Sequence, residues 1–228
     1  MRMRKKKHLA ERLDAVSDYL FTGDFSNRNF NTAILDKDYI NLDDWFGREA
    51  PLILEIGCGK GRFAVEYAKR HPEFNIIGIE KDSNVVVSAC EEAKSAGLKN
   101  LKFMKISAEY IEKYIKPCSV DGIFLNFSCP FPKNKYASHR LTAKGFLEIY
   151  KRIMKKDAEI HQKTDNMHFF EFSIEQFSSC GFALKNISLD LHSSDFEGNI
   201  VTEYESRFVS MGMPIYRLEA YIKDELSN

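Results

Sequence analysis

The sequence predicts an α/β protein with a mostly parallel seven-stranded sheet, helices on both faces and an antiparallel edge strand. Three observations lead there. Short apolar runs alternate with segments whose apolar residues recur at helical spacing, the pattern of strand–helix–strand crossovers. Glycines cluster directly after the first such run, where a parallel strand hands over to a helix. The last two runs are separated by only a short helix, too little for a full crossover, which suits antiparallel pairing.

Residues 1–50 are polar and irregular and read as an N-terminal basic arm plus short helices. After Pro51 the texture changes, and residues 51–228 read as a single domain. "LILEIG" is a short buried strand stopped by Gly57. Phe63, Ala64, Tyr67 and Ala68 mark a helix that Pro72 ends. "NIIGIE" is the second strand, and Asp82 or Ser83 can cap a helix carrying Val86, Val87, Cys90 and Ala93 up to Gly97. "LKFMKI" is the third strand, followed by a helix near Ala108 to Ile115, and "VDGIFLNF" is the fourth. Thr142 can cap a helix with Phe146, Leu147, Tyr150 and Met154 on one face. "AEIHQKT" is the fifth strand, and a helix with Phe169, Phe170, Ile174 and Phe177 stops at Gly181. "ALKNISLDL" and "IYRLEAYI" close the sheet around a short helix from Glu203 to Met211.

The composition excludes several classes. With 44% hydrophobic and 29% charged residues in a 228-residue chain, there is material for a sizeable globular core. The five cysteines, at 58, 90, 118, 129 and 180, form no CxxC pair, so zinc and redox motifs lack support, and an odd count favours a reducing, cytoplasmic compartment. The basic start has no apolar region behind it, unlike a secretory signal, and no run approaches the ~18 apolar residues of a membrane span. Net charge is zero, yet basic residues cluster twice. Arg2, Arg4, Lys5, Lys6, Lys7 and Arg12 crowd the start. Between Lys133 and Lys156 eight basic residues face one acid, Glu148. One such run is usually a solvated face; two in one chain point toward a phosphate backbone.

In an open parallel sheet the ligand lies beyond the carboxyl ends of the strands. The first end supplies Glu55, Gly57, Gly59 and Gly61; the second supplies Glu80, 19 residues after Gly61. A carboxylate there can accept both hydroxyls of a ribose. The glycine spacing is GxGxG rather than the GxGxxG of dinucleotide sites, and Glu55 would repel a pyrophosphate. A cationic ligand fits better, which favours S-adenosylmethionine over NAD. The fourth end delivers Asn126 and the loop Cys129-Pro130-Phe131-Pro132-Lys133, the fifth Lys163-Thr164-Asp165-Asn166, and later comes Thr202-Glu203-Tyr204-Glu205.

Taken in order, "MRMRKK", "EIGCGKGRF", "IGIE", "LNFSCPFPK", "KTDN" and "TEYESRF" with Gly212 and Ile215 resemble, nearly end to end, the bacterial tRNA (guanine-N7-)-methyltransferases. These are Rossmann-like class I methyltransferases. The resemblance implies methyl transfer from S-adenosylmethionine to N7 of a guanine at position 46, in the variable loop of tRNA, by a cytoplasmic monomer or homodimer. It implies that Glu55, Gly57, Gly59, Gly61, Glu80, Ser107, Asn126 and Cys129 lie on the cofactor side. Lys133, Asp165, Thr202, Glu203, Tyr204 and Glu205 would hold the target nucleotide, and Asp165, Lys133 and position 129 would act in catalysis. Two departures stand out. The family's fourth-strand loop usually reads Asp-Pro-Trp-Pro-Lys, so Cys129 replaces an acid. Ser107 stands before Ala108 where the family usually has an acid. The basic run after the loop is also thinned to "NKYASHRLT".

Guanine N7 already carries a lone pair, so transfer needs alignment more than a base. Asp165 can orient the guanine through its amino edge, and Lys133 can meet a phosphate or the base oxygen. Cys129 is then tolerable as a small residue. The rival is a cytosine-C5 methyltransferase with Cys129 as nucleophile, but such loops usually place proline before the cysteine, and here it follows. A tRNA-binding relative without turnover, and an NAD-dependent oxidoreductase, are further alternatives. His71, His161, His168 and His192 show no metal spacing. The Phe169–Phe177 stripe and Trp45 read as packing.

Overall fold

The computed structural model describes residues 6–24, 27 and 29–223. Arg2, Arg4 and Lys5 of the basic start lie outside the described residues. The chain divides into two compact units, Met1–Lys116 and Pro117–Asn228, each with four strands among the described residues.

In the first unit the elements run α1 (Leu9–Asp14), β1 (Leu20–Thr22), α2 (Phe30–Ala33), α3 (Leu42–Phe46), β2 (Leu52–Ile56), α4 (Arg62–Arg70), β3 (Asn75–Ile79), α5 (Ser83–Ser95), β4 (Leu101–Lys105) and α6 (Ile111–Tyr114). All pairings are parallel, in the order β1-β4-β3-β2. β2 and β3 are buried at every position, which is why they read as continuous apolar runs rather than alternating ones. β1 is the strand that the sequence reading omitted. It has only three residues and pairs with β4 from Leu20↔Phe103 to Thr22↔Lys105. Asp82 caps α5 by accepting from the Asn84 amide at 2.8 Å, and Val86, Val87, Ala89, Cys90 and Ala93 are buried. The N-terminal segment docks on that helix. Arg12 donates two hydrogen bonds to Glu91, at 2.7 and 2.6 Å. The Lys6 amide donates to Asn84 Oδ1 at 2.8 Å, and the Lys6 ammonium contacts the Ser88 hydroxyl. Two members of the expected RNA-facing arm are thus engaged within the unit. Trp45 packs edge-on against Phe21.

The second unit runs β5 (Val120–Asn126), α7 (Lys144–Ile153), β6 (Met154–Thr164), α8 (Met167–Ser179), β7 (Phe182–Ser188), α9 (Glu203–Ser210) and β8 (Tyr216–Ile222). The order is β5-β6-β8-β7: β5 and β6 are parallel, and β8 is antiparallel to both neighbours. The antiparallel strand is therefore the last in sequence, inserted one place in from β7. Phe169, Phe170 and Phe177 on α8 are core residues. Thr142 does not cap α7; Ala143 occupies that place. The Thr142 hydroxyl, fully buried, instead meets Ser173 of α8 at 2.8 Å. Among the described residues no helix is long and apolar enough to cross a membrane.

On the β6, β7 and β8 surface, Glu159, His161 and Glu219 bring possible ligand atoms within 4.8 Å of one another. Cations already engage both carboxylates: Lys185 bridges to Glu159, and Arg217 and Asn186 donate to Glu219. The cluster is a charge network, with His161 stacked on Phe124 at 4.7 Å. Contact with His161, then the hydrogen bonds from Arg217 and Asn186, hold the Glu219 carboxyl down to about 2.

Because that value is depressed, Glu219 contributes its stability fully above the ordinary glutamate pKa of about 4.3 and loses it as pH falls toward 2. Glu219→Gln is expected to flatten the acid limb of Tm against pH across that window. A limb as steep as the wild type's would show that the network is not linked to folding.

Candidate functional site

The first unit's strand ends build a concave turn. β2 carries Glu55, almost fully buried, and Gly57 follows it. The amides of Gly57 and Cys58 both donate to the Ile79 carbonyl of β3, at 2.8 and 3.0 Å. This pair of hydrogen bonds to one acceptor folds the chain back over the strand end. Gly61, at φ +79°, opens α4. A Cβ there would sit 2.7 Å from the Ala89 Cβ, so glycine is needed for α4 to approach α5. Gly59 also has positive φ, but open space lies where its Cβ would be, leaving room for a ligand against the backbone.

Burial pushes the Cys58 thiol well up, and the Glu55 and Glu80 carboxylates push it further. Both acids therefore act on the glycine turn, which also carries Lys60. Glu80, half-buried after β3, accepts from the Asp82 amide at 2.9 Å, which orients its carboxylate. Ser107 follows β4 as expected, but its hydroxyl is bonded to the Glu109 carboxylate. A 3₁₀ turn over Ala108–Tyr110 brings Glu109 back to this strand end.

In the second unit, β5 delivers buried Asn126, then Phe127 with φ 51°, whose amide donates to the Lys163 carbonyl at 2.9 Å. Cys129 and Lys133 are exposed. Asp165 follows β6 and is half-buried. Asn166 beside it caps α8, accepting from the Phe169 amide at 2.8 Å.

The Thr202–Glu205 segment divides sharply. Thr202 and Glu205 form a capping box at the start of α9. Glu205 is 0% exposed, with one oxygen 2.6 Å from Lys163 Nζ and the other 2.9 Å from His192 Nε2 and 2.5 Å from Asn199 Nδ2. Lys163, 6% exposed, also donates to Asn199 Oδ1 and the Ile200 carbonyl, each at 2.9 Å. With both oxygens engaged inside the fold, Glu205 serves the frame. Tyr204, at 61%, and Glu203 face outward. Nothing in the sequence tied Lys163, His192 and Asn199 to Glu205, because the separation reaches 42 residues.

A family model described as a putative methyltransferase matches residues 49–218. The tRNA (guanine-N(7)-)-methyltransferase of Halalkalibacterium halodurans is 49% identical over 178 residues, which cover 78% of this chain and 81% of that protein. The enzyme of the same name from Bacillus cytotoxicus is 40% identical over 225 residues, 99% of each chain. Among solved structures, the 16S rRNA methyltransferase KamB aligns with a TM-score of 0.57 at 16% identity, over 89% of this chain and 96% of that one. A SAM-dependent methyltransferase from Aquifex aeolicus aligns at 0.55 with 16% identity, over 88% and 100%. At such identities the structural likeness shows the fold alone.

The capping-box carboxylate carries an expected outcome. Glu205→Gln strands Lys163 in the interior, so stability should fall by about 3–5 kcal/mol in denaturant titration. Tyr204→Ala, which removes an exposed ring, should stay within about 0.5 kcal/mol of wild type. Comparable losses in the two variants would contradict the division.

Proposed function

This chain belongs to the tRNA (guanine-N7-)-methyltransferase family, and on that premise we propose that it methylates N7 of a guanine in tRNA with S-adenosylmethionine as donor, at position 46 of the variable loop. The observation that carries the reading is the carboxylate-walled glycine turn, standing in a chain that aligns from end to end with enzymes of that name. On this reading the protein works in the cytoplasm, with tRNA as its partner.

The residues divide the work. Glu80 would accept from the ribose hydroxyls, Glu55 would face the cationic end of the cofactor, and the open side of Gly59 would let it lie against the backbone. S-adenosylmethionine, when bound, supplies an electrophilic methyl group. Guanine N7 needs no deprotonation, so the protein's task is to orient the base and exclude misaligned approaches. Asp165 would accept from the amino edge of the guanine, and Lys133 would meet a phosphate or the base oxygen. Glu203 and Tyr204 are the outward members of their segment and would touch the nucleotide, while Thr202 and Glu205 hold the helix beneath them. Cys129 stands in the usual place of an acid and takes no covalent part.

Methyl transfer to unmodified tRNA, with the product nucleoside identified by mass spectrometry, tests this directly. Cys129→Ala should keep most activity, Cys129→Asp should equal or exceed wild type, and Asp165→Ala should lose about 10²-fold or more. Product 5-methylcytosine, abolished by Cys129→Ala, would replace this reading with covalent cytosine chemistry. Absence of any product would leave a tRNA-binding relative.

Cofactor binding is separable by calorimetry. S-adenosylmethionine should bind and NAD should not, and Glu80→Ala should weaken binding by about 1–3 kcal/mol, the loss of hydrogen bonds to a charged acceptor. Unchanged affinity in that variant removes Glu80 from the site.

A further inference from the structure

Arg140 belongs by sequence to the basic run between Lys133 and Lys156, the run that reads as a surface for phosphate. Its side chain does something else. Arg140 is only 9% exposed. Its Nε donates to the Pro130 carbonyl at 2.9 Å and its Nη2 to the Phe131 carbonyl at 3.0 Å. The guanidinium lies over the Phe172 ring of α8, 4.4 Å from its centroid. Phe131 in the loop it grips and Phe127 just before that loop have φ values of 40° and 51°, a backbone region that bulky side chains disfavour. Such a loop keeps its shape only if its surroundings hold it.

The chain around Arg140 is anchored to the same helix. Thr142 meets Ser173 at 2.8 Å, Ser173 donates to the Phe169 carbonyl at 2.8 Å, and the Lys144 amide donates to Gln176 Oε1 at 3.0 Å. The helix is capped by Asn166, next to Asp165. We propose that Arg140 is a positioning residue that ties the Cys129–Lys133 loop to α8, and so sets Lys133 relative to Asp165, instead of contacting RNA. The guanidinium is suited to this because its planar fork serves two carbonyls while its face stacks on a ring, a combination that an ammonium cannot reproduce. The role within catalysis rests on the proposed methyl transfer to tRNA.

The test compares wild type, Arg140→Lys and Arg140→Met in three measurements. These are steady-state methylation of unmodified tRNA, tRNA affinity against salt, and the rate at which a maleimide labels Cys129, read by peptide mass spectrometry. Both variants are expected to lose about 10- to 100-fold in kcat, the scale of small misplacements. The KM for tRNA and the salt slope should stay at wild-type values, and Cys129, exposed in the same loop, should label faster as the loop loosens. Wild-type kcat in Arg140→Lys would overturn the proposal. So would a raised KM and a salt slope reduced by about 0.9 in Arg140→Met with kcat kept, the signature of a lost phosphate contact. If Arg140→Met fails to fold by circular dichroism, Arg140→Lys, which keeps charge and stem, decides alone. If the wild type methylates no tRNA, the functional reading falls, while the labelling rates still decide whether Arg140 holds the loop.

Discussion

A buried strand cannot simply stop: the backbone groups beyond its last ladder bond still need partners. That constraint shapes both units. At the end of β2, one carbonyl, that of Ile79, accepts from two successive amides, and the glycine turn follows from it. At the end of β5 the Phe127 amide reaches the Lys163 carbonyl, and the chain leaves the ladder with a left-handed residue. Asp82, Asn166 and Thr202 each take up amides at the start of a helix. In open α/β sheets, ligands bind beyond the carboxyl ends of the strands.

The same constraint explains why recognisable motif residues do not all face outward. In the second unit the Lys163–Glu205 pair lies in the interior, and burial of two charges is tolerable only when hydrogen bonds satisfy the rest of each group. Asn199, His192, the Ile200 carbonyl and the capping box do so. The pair joins the end of β6, two residues before Asp165, to the helix that presents Tyr204. Arg140 performs the equivalent task for the loop after β5. Residues of this kind bear on chemistry through geometry, and they sit among the surface residues in sequence because strand ends are short.

The departures from the family pattern look different in three dimensions. Ser107 replaces an acid, but its hydroxyl holds the carboxylate of Glu109, so negative charge persists after β4. Cys129 has no such neighbour two places away; Pro130 and Phe131 follow it. On the proposed methyl transfer, guanine N7 would tolerate that loss, since the nucleophile is already unprotonated. Around Cys58 the thiol is buried and raised by both carboxylates, so this cysteine is an inert part of the turn and a witness to its field.

Sequence by itself determined the strands and helices whose signals are local. Short, mostly apolar runs marked β2 to β5, helical spacing marked α4, α5, α7 and α8, and the short final connection marked antiparallel pairing. It also singled out Glu55 and Glu80 as candidate cofactor acids, because a place at the carboxyl end of a strand is set by a few residues. Tertiary structure alone decided the rest. β1 is three residues long and exists through its bonds to β4, so no periodicity announces it. Thr142 could have capped α7, yet Ser173, 31 residues away, takes its hydroxyl. Arg140 and Glu205 look like surface charges until carbonyls, rings and a lysine from distant segments close over them. The reason is common to all four: a residue's role is legible when its partners lie within a turn of chain, and is set only by folding when they do not.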